Sequence, residues 1–123
     1  TCNQAALRMA TGEHAAALPV LILSLAHYRQ AGARHGVEEC FELLARIAQQ
    51  LGHPERAAWC WGVTEQLEGD MGKQLRSDQQ AEREALLAGL SARLGDTALA
   101  SARSAGRHAT LEEAFSTVVP QGR

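Results

Sequence analysis

The feature that most restricts this chain is an apolar stripe of helical period. Val37, Cys40, Phe41, Leu44, Ala45, Ala48 and Leu51 follow the i, i+3, i+4, i+7 rule, which on a 3.6-residue turn puts them on one buried face. A strand would scatter the same residues over both sides. Gly52 then interrupts the pattern and Pro54 follows it, where a first helical turn tolerates proline because its missing N–H has no partner there anyway. A second helix is expected over residues 54–71. So short a connection folds the two helices back on each other as an antiparallel hairpin.

The same grammar recurs upstream, with a short helix expected over residues 3–11, a break at Gly12 and a long helix over 13–33. Gly12 and Gly52 mark equivalent turns 40 residues apart, so the order helix, glycine, helix repeats while the residue identities hardly do. Pro19 lies in the second turn of the long helix, where it removes a hydrogen bond and is expected to bend it or delay its start. Beyond Gly72 three more helices are expected, over 77–94, 96–105 and 110–119. Ser77 with Gln80 and Thr110 with Glu113 read as capping boxes, and Asp96 as an N-cap.

The expected fold is therefore all-α: TPR-like antiparallel helix-pair repeats forming an α-α superhelix, with a C-terminal helical cap. Residues 1–75 hold about two helix pairs and residues 76–123 the capping helices and tail, the whole forming one domain. A more polar terminal element is what a stack of repeats needs, since its last repeat otherwise exposes an apolar side. Composition agrees. The chain is 46% hydrophobic but 4% aromatic, so its core is built mainly of Leu, Ala, Val and Ile, which suits close-packed helices better than sheets.

Charge and composition also restrict function. A formal charge of -2 and a pI near 6.2 leave no broad basic surface, and phosphate contacts supply most of the affinity of nucleic-acid binders. Direct nucleic-acid binding is not expected. No segment approaches the roughly 20 apolar residues of a membrane span, the apolar run of residues 15–26 being shorter and followed by His27 and Arg29. Cys2, Cys40 and Cys60 are odd in number and lack CxxC spacing, which argues against a disulfide framework or a zinc site and for a reducing cytoplasm. The first residue is Thr1, not Met, and the chain is expected to be a piece of a longer protein.

No catalytic constellation is visible: there is no glycine-rich phosphate loop, no HExxH and no GxSxG. No two of the five His are four residues apart, so helical metal-ligand spacing is missing. Neither catalytic residues, metal ligands nor a cofactor are assigned. Cys40 and Cys60, at unequal distances from Gly52, read as small buried hydrophobes.

Trp59 and Trp61 are two residues apart and point about 200° away from each other on a helix. Trp61 reads as the core member. Trp59 is then either packed on a neighbouring repeat or a partly exposed anchor for a partner. On the preceding helix Glu39, Glu42, Arg46 and Gln49 lie opposite the apolar stripe. In a TPR-like stack that face lines the concave groove, making Arg46 and Gln49, with Trp59, the candidate partner-binding residues. The plainer reading is a solvated face with Glu42 pairing to Arg46 within its own helix, worth only about 0.2 to 0.5 kcal/mol.

The stretch LARIAQQLGHPERAAWCWGVTEQLEGDMG, residues 44–72, resembles the C-terminal TPR-like region of large bacterial regulators of the LuxR and SARP types with a MalT-like organisation, and of related predicted ATPases. The resemblance continues through LSARLGDTALASARSAGRHATLEEA, residues 90–114, and covers nearly all the chain from Gly36 onward. This sequence departs from the pattern at Trp59, where a polar or basic residue is usual, at Val63 and Thr64, which replace an alanine pair, and at Arg76 and Ser77, where no proline is present. The resemblance implies a non-catalytic interaction or effector-sensing module of a transcriptional regulator. Its partners would be a protein or peptide, by self-association or from other domains of the same regulator, or a small effector. A free-standing adaptor that scaffolds a complex is the alternative.

Overall fold

Three turns, built the same way, set the architecture. Gly32, Gly52 and Gly72 stand at 20-residue intervals, each with a positive φ, at 69°, 83° and 64°. At each, the residue after the glycine donates its N–H back across the turn: Ala33 to Tyr28 O, His53 to Ala48 O and Lys73 to Glu68 O, at 2.8–2.9 Å. These bonds satisfy carbonyls that a helix end leaves open, and glycine alone adopts the left-handed conformation without a steric penalty. Each turn reverses the chain after one helix.

The computed structural model describes residues 14–118, with side chains from residue 17. Six helices run in order: α1 His14–Ala31, α2 Arg34–Gln50, α3 Pro54–Met71, α4 Ser77–Leu94, α5 Asp96–His108 and α6 Leu111–Val118. Among the described residues there is no strand, and no helix is long and apolar enough to cross a membrane. The expected helix over 3–11, Gly12 and Cys2 lie outside the described residues.

Expected and observed boundaries of α3 and α4 coincide. Three local expectations change. α1 is already helical at His14, the first described residue, and runs through Pro19, so of the expected bend or delay, the delay is not seen. The box at the head of α4 sits one residue early, with Arg76 N–H donating to the Gln79 side chain at 3.0 Å. Asp96 is the first residue of α5 rather than its cap, which is Gly95. At α6 the expected box is present: Thr110 N–H donates to Glu113 Oε1 at 2.8 Å, and Glu113 N–H to Thr110 Oγ1 at 3.1 Å. The Thr110 backbone and hydroxyl bonds hold the Glu113 carboxyl below its ordinary range.

The stripe of α2 is buried from Val37 to Ala48, but Leu51 is 42% exposed, because α2 stops at Gln50 and Leu51 belongs to the turn. α3 is different in kind. Ala57, Ala58, Cys60, Trp61, Gly62, Val63, Thr64, Leu67 and Glu68 are all buried, so it is covered over most of its surface and is the axis of the fold. α2 lies on one flank, and α5 makes the most extensive helix contact of all on the other. That contact rests on two glycines: a Cβ on Gly62 would run into the Arg103 carbonyl, and one on Gly106 into that of Trp59. Leu90, Leu99, Ala114 and Phe115 join the same core, which is therefore continuous across residue 75.

Candidate functional site

Trp59 and Trp61, on opposite sides of α3, open onto two different environments. Trp61 is fully buried. Trp59 is partly exposed and stands edge-on to Phe41, with ring centroids 6.3 Å apart and planes at 68°. Beside it lies a cleft of about 920 Å³ bounded by Pro54, Trp59, Leu94, Ala98, Ala102 and Ala105. The cleft forms because α5 approaches α3 closely at Gly62 and Gly106 and offers only small side chains toward the first turns of α3. Glu55, Arg56, His53 and Ser101 supply its polar lining.

The stripe of Glu42, Arg46 and Gln49 does not face an open groove, and its side chains are half-buried. α4 lies on it. Arg46 Nη1 is 2.5 Å from Glu82 of α4, and Nη2 is 3.7 Å from Glu42 on its own helix. The Gln49 side-chain amide donates to the Leu86 carbonyl at 3.2 Å. Of the stripe only Glu39 is left at the surface, 2.9 Å from His35. Both polar candidates are thus engaged with another helix of the same chain, while Trp59 lines the cleft on the far side of α3.

Beneath α4 lies a charge cluster that sequence reading missed. Arg83 reaches down from α4 and forks onto Glu68, at 2.6 and 2.8 Å, with Glu42 at 3.3 Å. Its guanidinium carbon sits 4.7 Å from the centroid of the Trp61 ring, and that of Arg46 at 5.9 Å. Lys73, just past the Gly72 turn, donates to Glu38 at 2.8 Å. Carboxylate oxygens of Glu38, Glu42 and Glu68 lie within 4.8 Å of one another, and the cations set against them belong to the protein itself. Glu38 and Glu68 occupy helix positions that face the core, where a carboxylate without a cation is prohibitive. That position was the available signal. Which cation answers it depends on the tertiary fold, since Arg83 is 41 residues from Glu42 and Lys73 is 35 from Glu38.

Burial raises the Glu38 carboxyl above its ordinary 4.5; the Lys73 bond works to lower it, and the Glu42 and Glu68 charges add to the rise. Burial works to lower Lys73, but the bond to Glu38 and the neighbouring carboxylates leave it raised. Arg83 follows the same balance, with Glu68 outweighing burial. A carboxyl whose pKa is raised on folding favours the folded state most below its ordinary value, and that contribution is lost as pH climbs through the raised one. Glu38→Gln should therefore match the parent near pH 4 and exceed it in melting temperature by pH 7. Lys73, raised above its ordinary value, does not titrate in this window. Thermal melts from pH 4 to 8 check this; a variant that falls further behind the parent as pH rises contradicts it.

Cys40 and Cys60 are buried, and burial pushes Cys60 up to about 12, well away from nucleophilic or redox use. No known protein family, curated protein or solved structure matches this chain.

Proposed function

We propose that the chain is a non-catalytic, TPR-like interaction module of a bacterial transcriptional regulator, and that it takes a protein or peptide segment in the cleft beside Trp59. The observation that carries this reading is the cleft itself. It joins a half-covered indole to a floor of alanines, and tryptophan in such a setting is the residue type most enriched among binding hot spots. Its volume, about 920 Å³, suits several side chains of a partner. The helix-glycine-helix order and the resemblance of residues 44–72 and 90–114 supply the regulator context. Self-association or a neighbouring domain of the same regulator fits the cleft equally well in chemistry.

Ser101 is exposed on α5 and lines the cleft, so Ser101→Arg blocks it at little expected cost to the fold, while Trp59→Ala removes its anchor. In the full-length regulator both should weaken self-association or partner binding at least tenfold, measured by sedimentation, and alter transcription from a reporter. The isolated fragment should show no salt-sensitive binding to duplex DNA. Unchanged association and reporter output in both variants would overturn the reading.

A further inference from the structure

We infer that the segment taken by the cleft beside Trp59 is acidic, an inference that rests on the reading of that cleft as a partner site. A bulky apolar side chain of the segment lies against the indole and the alanines, and its carboxylates meet Arg56 and Arg93.

The chain answers most of its cations internally. Arg34, Arg46, Arg76, Arg83 and Arg103 pair with carboxylates, and Arg29 lies over the Phe115 ring at 4.5 Å. Among the described residues, Arg56, Arg93 and Arg107 are the arginines left with neither a carboxylate nor a ring. Two of them stand at the cleft. Arg56 lines it, and the Arg93 guanidinium comes to 4.0 Å from where a Cβ on Gly52, another lining residue, would lie. Both side chains are exposed, so each can turn its planar fork onto an incoming carboxylate. His53 adds a group able to carry positive charge, and Glu55 is the single carboxylate of the described lining. This basic balance is local, since the whole chain carries -2.

Hydrogen-bonding capacity points the same way. Guanidinium and indole N–H groups only donate, so the cleft favours an occupant rich in acceptors, and a segment bearing Lys or Arg meets like charge. The floor sets a second requirement. Ala98, Ala102 and Ala105 line it at i, i+4, i+7 along α5, leaving space above them that a bulky apolar side chain fills and a purely acidic one does not. One short segment reaches both features. Arg56 precedes Trp59 by three residues on α3, about 4.5 Å along its axis at 1.5 Å per residue.

The test pans a random phage-displayed library of peptides, each about twelve residues long, on the intact chain. Recovered peptides should be enriched in Asp and Glu beside large apolar residues, and fluorescein-labelled synthetic copies should bind in fluorescence anisotropy. Arg56→Glu combined with Arg93→Glu should weaken them by about tenfold or more, and raising salt from about 50 to about 500 mM should weaken them as well. The double variant should keep the far-UV circular dichroism of the parent, because both arginines are exposed and tie down nothing. Trp59→Ala asks separately whether the peptides sit in the cleft. Peptides that lose affinity with Trp59→Ala but ignore the arginine reversal and salt overturn the acidic partner and leave the cleft reading standing. Peptides that ignore Trp59→Ala overturn both. A selection that yields no binder, or binders rich in Lys and Arg, also overturns the inference.

Discussion

Trp61→Ala should destabilise the protein by about 3–5 kcal/mol, the range for truncating a buried aromatic residue. The ring has no exposed surface, and its indole lies under Arg83 at 4.7 Å. Removing it opens a void and leaves the guanidinium without the face it rests on, which is worth up to about 2 kcal/mol for a desolvated pair. The two losses share one site and will not simply add. Trp59→Ala should cost less, about 2 kcal/mol, because that ring is partly exposed and gives up its edge contact with Phe41. Urea unfolding followed by far-UV circular dichroism separates the two. Equal losses would mean that the indoles are equally structural, and Trp59 would cease to be a candidate anchor.

Gly62→Ala and Gly106→Ala should each destabilise by about 2–3 kcal/mol, toward the upper part of the overpacking range. Alanine in a helix normally gains about 1 kcal/mol over glycine, so the expected sign is the reverse of propensity. The added methyl meets backbone: the Arg103 carbonyl in one case and the Trp59 carbonyl in the other. Neither can rotate away as a side chain would, and α3 and α5 must separate. Once apart, they have room for both methyls, so the double variant should cost clearly less than the sum of the singles. Gly69 is the internal control. It lies on the same helix with nothing within 4 Å of its would-be Cβ, and Gly69→Ala should stabilise by up to about 1 kcal/mol. Full additivity of Gly62 and Gly106, or destabilisation by Gly69→Ala, would contradict this account.

What the sequence made legible was local. The Val37–Ala48 stripe, the Gly52 turn and the limits of α3 and α4 follow from periodicity and from glycine and proline chemistry, because those interactions close within a few residues. The Thr110 and Glu113 box was legible for the same reason. The candidate site was only partly so. The opposed directions of Trp59 and Trp61 follow from helix geometry, but the cleft requires knowing that Gly106 of α5 lands on Gly62 of α3. The stripe of Arg46 and Gln49 was legible as polar, but not as covered, since a helix with just two buried residues leaves little apolar signature of where it docks. Glu38 and Glu68 stand at core-facing positions, but nothing local marks Arg83 as the cation that answers them. Their meaning comes from burial, and burial is a property of the folded chain.

The regular turns have a mechanical consequence. Gly32 and Gly72 lie at one end of the helix stack and Gly52 at the other, since each turn reverses the chain. α3 alone has its first turn in the Trp59 cleft and its last beside Lys73 and Glu68. Its 18 residues make a rod about 27 Å long at 1.5 Å per residue, stiff along its axis because every peptide is bonded to the turn before it. A load applied at Pro54 is delivered to the Gly72 end as a push along that rod. There it meets the Lys73 bond to Glu38, in the link after Gly72, and the Arg83 fork on Glu68 that ties α4 down.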